Sequence, residues 1–289
     1  MLYILYVFLF ILGTAAGSFL NVLSLRYREG ERIFTRDVFT GRSHCPYCGK
    51  TLNWRELIPL ISFIVQKGKC RSCGRPLSLQ YPFVEVLSGL IFVTFPVYFY
   101  RYFHVADLAL GGQPFHWYYW ILGVWIAAAG GLILMSAIDF RLRIIPDQLN
   151  LFLAFLGIIL IAVNKNLSFL GGYALLFKFT DNVLLNHLAA AGAGLAFFGL
   201  VILFSRSRGM GMGDLKLAGA LGLLLGWPDA ILSFLLSFII GAIISLGLIF
   251  LKKKSFKDAV PFGPFLAAGV FTVMFFGEKI LNYYFQLFS

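Results

Sequence analysis

Gly209-Met-Gly-Met-Gly-Asp214 is a run of alternating glycines that ends in an acid and opens onto an almost wholly apolar segment, Leu215 to Trp227. An ionisable residue entering a membrane segment is costly, and such residues mark functional sites. Glycine tolerates unusual backbone angles and allows close approach to another helix or to an extended substrate, so Gly211 and Gly213 are candidate cleft or supporting residues. Asp is also a good helix N-cap, so Asp214 taken alone reads equally as a cap or as a functional acid. A second acid, Asp139, tips the balance towards function.

The apolar context extends over the whole chain. Of its 289 residues 60% are apolar and only 13% charged, and the mean hydropathy is +0.84. That composition excludes an ordinary soluble domain and predicts an all-α polytopic membrane protein. About eight transmembrane helices are expected, near residues 2–25, 81–100, 117–138, 149–163, 183–204, 215–227, 230–251 and 261–285. Ala15-Ala16-Gly17 faintly resembles a signal-peptidase site, but no basic residue precedes the apolar run, so the first span reads as a retained helix with its N-terminus outside. The net charge of +11 is a topology signal, not a nucleic-acid one, because the basic residues cluster in loops on one side of the membrane.

Residues 26–80 form the one large polar segment and carry 11 of the 24 Lys and Arg, which places the segment in the cytoplasm. It holds all four cysteines, as Cys45-Pro-Tyr-Cys48 and Cys70-Arg-Ser-Cys73. Two C-x-x-C pairs at this separation supply four thiolates, the set that closes a tetrahedral structural zinc site. Gly49 and Gly74 follow the pairs and suit the turn of a zinc knuckle. Two disulfides are the competing reading, disfavoured on a reducing cytoplasmic face. The domains expected are a first transmembrane helix at 1–25, a four-cysteine zinc module at 26–80 and a membrane-embedded core at 81–289.

With the N-terminus outside, residues 139–148, 205–213 and 252–258 join 26–80 in the cytoplasm. Asp139 and Asp214 then fall at the same edge of the membrane, one ending the third span and one opening the sixth. An acid at a helix C-terminus opposes the dipole, so Asp139 gains nothing as a cap. Two close carboxylates share a proton near neutral pH, so one serves as base to water while the other protonates the reaction centre. Asp147 after Pro146 reads as a helix cap. Glu85, just inside the second span, reads either as a satisfied edge acid or as a polar contact to substrate or cofactor. No H-E-x-x-H, G-x-S-x-G or phosphate-loop pattern offers a rival catalytic set. Two other classes share the acids and cysteines: a transporter relaying protons or cations through Asp139 and Asp214, and a scaffold that docks a partner through its zinc module.

Several separate motifs resemble the type IV prepilin peptidases, membrane aspartic proteases of the Gly-x-Gly-Asp type. They are Gly17-Ser-Phe-Leu-Asn-Val22, the two cysteine pairs, Tyr81-Pro-Phe-Val-Glu85, Asp139 with Ile145-Pro-Asp147, Gly211-Met-Gly-Asp214 and Pro261-Phe-Gly-Pro-Phe265. The likeness runs nearly end to end, with the outer loop at 164–182 outside any pattern. It implies catalysis by Asp139 and Asp214, with Gly211, Gly213, Pro146, Asp147 and Glu85 supporting the cleft. It implies cleavage after Gly of the basic leader of prepilins or type II secretion pseudopilins, at the cytoplasmic face of a bacterial inner membrane. Methylation of the new N-terminus from S-adenosylmethionine accompanies the cysteine module in many relatives. The partners implied are those substrates and the lipid bilayer.

Overall fold

A computed structural model describes residues 2–33, 41–110, 116–167, 182–206, 210–253, 255, 258 and 260–287. The described residues are helical apart from loops and two isolated bridges. Long apolar segments become helices because a helix satisfies every backbone group within one segment, as lipid demands. In chain order they are α1 (Leu2–Arg26), a short α2 (Ile61–Val65), α3 (Gln80–Leu110), α4 (His116–Leu142), α5 (Asp147–Leu167), α6 (Val183–Ser205), α7 (Met212–Leu225), α8 (Asp229–Phe250) and α9 (Gly263–Gln286). The eight expected segments each coincide with one of the long helices. Six of these are long and apolar enough to cross a membrane: α1, α3, α4, α6, α8 and α9. In α5 the apolar part is the shorter Asp147–Val163, and α7 has 14 residues. The expected outer loop at 164–182 lies outside the described residues from 168 to 181.

The chain divides into two compact units, Met1–Ile138 and Asp139–Ser289. In the first, α1 and α3 pack antiparallel at close range. A Cβ on Gly13 would come within 2.6 Å of the Ser88 carbonyl oxygen, and one on Gly17 within 2.8 Å of the Val84 carbonyl oxygen, so side chains at either position would force the helices apart. Farther along, Phe99 of α3 meets Trp125 of α4 with ring centroids 6.3 Å apart.

The second unit is built around α7, whose Leu217, Ala218, Leu221 and Leu224 are buried. A Cβ on Gly157 of α5 would come within 2.7 Å of the Leu223 backbone, and one on Gly222 within 2.4 Å of the Ala191 backbone in α6, so both helices press directly on α7. A helix of 14 residues rises about 21 Å, less than the roughly 30 Å of a bilayer core. Surrounding protein on both sides is what lets so short a helix sit in this setting. It stops at Gly226, whose φ of 73° suits glycine. Beyond the stop, Asn186 clamps Trp227: its Nδ2 donates to the Trp227 oxygen at 3.0 Å and its Oδ1 accepts from the Trp227 nitrogen at 2.8 Å. The helices α8 and α9 pair through Gly241, where a Cβ would meet the Phe265 ring at 2.9 Å. Phe198, Phe238 and Phe262 interlock with centroids 4.9–6.2 Å apart and tie α6 and α8 to the turn that opens α9.

Candidate active site

Asp139 lies inside the last turn of α4, not beyond it, since the helix continues to Leu142. Its carbonyl receives the Arg143 amide at 2.8 Å, with Arg143 at φ 58° closing the helix. The carboxylate is buried, at 4% exposure. Its Oδ2 accepts the Gly263 N–H at 2.8 Å. Gly263 is the first residue of α9, so the carboxylate faces a helix N-terminus, where unsatisfied amides and the dipole favour an anion.

Asp214 is the third residue of α7, and Gly211 takes the N-cap position. Its Oδ2 accepts the Gly211 N–H at 3.1 Å, the reach-back of an N3 carboxylate. The capping reading of Asp214 is therefore partly right, and it leaves Oδ1 uncommitted. Each of the two acids accepts one backbone N–H on one oxygen, and the other oxygen has no hydrogen bond among the described residues. The two carboxylates are near enough for the charge on Asp214 to act on Asp139.

The turn Ile145-Pro146-Asp147 braces this arrangement. A Cβ on Gly213 would lie 3.0 Å from the Ile145 Cβ, so the start of α7 rests on that turn. The Pro146 oxygen accepts the Leu149 and Asn150 amides, the role of a capping position. Asp147, expected as the cap, is instead the first helical residue of α5. Its two oxygens are each 2.8 Å from Lys216 Nζ on α7. Gly211, by contrast, is exposed with room around it. The second unit thus brings together Asp139, Asp214, Gly211, Gly213, Pro146 and Asp147.

Glu85 belongs to the first unit. It is buried, and its Oε2 accepts the Leu60 N–H at 2.8 Å, with the Ser18 side chain as a second partner.

The four cysteines form the other cluster. They carry no disulfide, and their sulfurs all lie within 4.8 Å of one another. Each pair builds the same turn. Cys45 N–H donates to Lys50 and Gly49 N–H to Cys45, and Cys70 and Gly74 repeat this with Arg75 and Cys70, all at 2.9 Å. Gly49 and Gly74 both have φ 68°, the left-handed angle that the turn requires. The amides of Cys73 and Ser72 point at the Cys70 sulfur and pull its thiol down to about 6. A tetrahedral zinc with bonds of about 2.3 Å holds its sulfurs about 3.8 Å apart. The Cys45–Cys73 separation of 4.0 Å is close to that, so the donor set fits zinc.

The sequence reading missed Gly263, Lys216 and Ile145 as parts of the site. Pro261-Phe-Gly-Pro-Phe265 carried a signal for the first, because a glycine before a helix start offers a bare amide. Nothing local marks the pairing of Lys216 with a residue 69 positions away.

Residues 11–99 match the bacterial peptidase A24 N-terminal domain, and residues 126–246 match the type IV leader peptidase family. The chain is 32% identical over 303 residues to a Legionella pneumophila protein named prepilin leader peptidase/N-methyltransferase, covering 97% of this chain and 94% of that one. Proteins of the same name from Aeromonas hydrophila (32% over 302 residues, 98% and 94%) and Bacillus subtilis strain 168 (30% over 280 residues, 96% and 97%) are similar over the same extent. No solved structure matches the chain significantly.

Proposed function

The chain belongs to the type IV leader peptidase family, and we propose that it removes the basic leader of type IV prepilins or pseudopilins with Asp139 and Asp214 as its catalytic pair. It is a multi-pass bacterial membrane peptidase. On our reading the cut follows a Gly at the cytoplasmic face of the inner membrane. The membrane core has eight spans, with α5 and α7 as the two beyond the six long ones, and the N-terminus is outside. Residues 26–80 form a module folded around structural zinc held by Cys45, Cys48, Cys70 and Cys73.

One observation carries this reading. Two acids from different helices each have one oxygen tied by a backbone amide and one left uncommitted, and the charge on Asp214 reaches Asp139. A water between the uncommitted oxygens loses a proton to one carboxylate as it attacks the scissile carbonyl. The other carboxyl protonates the carbonyl oxygen, and the proton taken from water later passes to the leaving amine. The pair holds one proton between them and works as a unit. The amide ties fix both carboxylates before substrate arrives, so little reorganisation is needed during the reaction.

Methylation of the freed N-terminus is the second activity we propose, with S-adenosylmethionine supplying the methyl group when bound. The chain's own fit to such chemistry is the buried Glu85 carboxylate, which suits an ammonium.

The test is cleavage of a prepilin co-reconstituted with the protein, read by mass spectrometry. The expected products are a leader ending in Gly and a mature chain carrying one added methyl when the donor is supplied. A cut at another residue, or an intact prepilin in the presence of zinc-loaded protein, overturns the assignment.

A further inference from the structure

The cysteine module carries an apolar surface that neither metal binding nor peptide cleavage uses. Its short helix α2, Ile61-Ser-Phe-Ile-Val65, has no charged residue. Ile61, Ile64 and Val65 stand at positions i, i+3 and i+4 and so share one face. They are 59%, 72% and 60% exposed. Phe63, on the other side, packs under the turn that follows: a Cβ on Gly68 would lie 3.1 Å from its ring, and the Gly68 N–H donates to its oxygen at 2.9 Å. The turn Trp54–Glu56 lies beside α2 and adds Trp54, 69% exposed, and the neighbouring exposed Leu57. So large a bare apolar face in an otherwise polar module marks an interaction surface.

Two further observations set where that face lies and what borders it. The Leu60 N–H, immediately before α2, donates to Glu85 Oε2 at 2.8 Å. Glu85 is the sixth residue of α3, about 7.5 Å along a helix whose Gln80–Tyr100 part is long and apolar enough to cross a membrane. The bond fastens α2 level with the first turns of a span, where headgroups meet acyl chains. The border is basic. Arg55 stacks over the Trp54 ring at 5.2 Å, Lys67 and Lys69 follow α2 directly, and all three are exposed. Residues 41–80 hold seven Lys and Arg against a single acid, Glu56. Glu56 is buried, and its carboxylate accepts the Asn53 N–H at 2.9 Å. Four thiolates around a divalent zinc sum to a charge of about −2, so positive charge remains in excess.

The occupant must be apolar where it meets Ile61, Ile64 and Val65, anionic at the rim, and present at the level of the membrane surface. A second copy of this chain would bring the same cations, and a substrate with a basic leader would add more, so charge disfavours both. An anionic leaflet meets all three demands. Its acyl chains cover the apolar face, its phosphates face the cations, and the boundary between them is where Trp side chains settle. We propose that α2 and Trp54, rimmed by Arg55, Lys67 and Lys69, form a lipid-docking surface that seats the cysteine module on the anionic leaflet of the membrane.

The test is photocrosslinking of the full-length zinc-loaded protein in lipid nanodiscs, with a benzophenone amino acid in place of Ile64. The position is exposed, where substitutions are well tolerated, and the zinc-to-protein ratio reports that the module is folded. The nanodiscs contain phosphatidylcholine alone or with phosphatidylglycerol, and mass spectrometry identifies what becomes attached. The main product should be a lipid adduct, in yield about threefold or more higher when phosphatidylglycerol is present. Arg55→Gln, Lys67→Gln and Lys69→Gln together should remove that rise and leave zinc bound. Equal yields in the two lipids, or a rise that survives loss of the three cations, overturn the proposal. So does zinc-loaded protein that yields no adduct. A product joined to the second unit of this chain, to another copy or to a prepilin added to the nanodiscs overturns it as well, since each would show protein, not lipid, on this face.

Discussion

At the scale of single residues the two glycines before Asp214 are not equivalent. Gly213 lies against Ile145, where a Cβ would sit 3.0 Å from another Cβ, whereas the nearest atom to a Cβ on Gly211 is Asp214 Oδ2 at 3.7 Å. Gly213→Ala should therefore cost about 1–3 kcal/mol of stability through overpacking, and Gly211→Ala about 0.5 kcal/mol or less. Thermal unfolding of the two variants side by side checks this, and equal shifts would contradict it. The sequence predicts close backbone approach for the glycine run, and of its two described members, Gly211 and Gly213, the structure assigns it to Gly213. Which glycine needs the space depends on Ile145, far away in the chain. Asp139 and Asp214 are legible as a pair because charge is rare in so apolar a context. Their amide partners, Gly263 and Gly211, are less so, because backbone donors leave no residue-type signature.

At the scale of elements, the ion pair between Asp147 and Lys216 fixes the start of α5 against α7, two residues from Asp214. Both side chains are well exposed, 49% for Lys216 and 63% for Asp147, so the pair contributes at most about 1 kcal/mol to stability. Its value lies in register. Asp147→Ala and Lys216→Ala should each slow prepilin cleavage several-fold with little change in melting temperature, and the swap Asp147→Lys with Lys216→Asp should recover part of the rate. A swap no better than either single variant would contradict the positioning role. In the cysteine module, the amides of Cys73 and Ser72 hold the Cys70 thiol at about 6, below its ordinary 9.0. A depressed thiol favours the thiolate that metal needs, and that advantage is lost as pH falls through about 6. Protons then compete with metal for the sulfurs. Bound zinc should fall as the pH is lowered from 7 by dialysis, as metal analysis will show; a zinc content independent of pH down to about 3 would contradict the four-thiolate site. The clustering of the four cysteines was legible from spacing, since two C-x-x-C turns carry their own geometry. The short α7 was legible as an apolar segment, but not as a helix walled by Gly157 and Gly222 contacts.

At the scale of the whole molecule, the chain contains two compact units, and its two family matches fall largely one to each. The four-cysteine cluster and Glu85 belong to the first, and Asp139 and Asp214 to the second. Hydropathy located all eight long helices, because lipid forces apolar segments into one conformation. It also marked the segments at 149–163 and 215–227 as short, and the structure agrees: the apolar part of α5 is Asp147–Val163 and α7 has 14 residues. The division of labour between the units predicts that damage to one leaves the other's structure intact. The most direct measurement is prepilin cleavage by wild type, Asp139→Asn and Asp214→Asn in the same membranes, with zinc content determined on each. Both variants should keep full zinc and lose about 10²–10⁴-fold in cleavage rate. Cleavage at the wild-type rate by either variant would contradict the assignment of Asp139 and Asp214 as the catalytic pair.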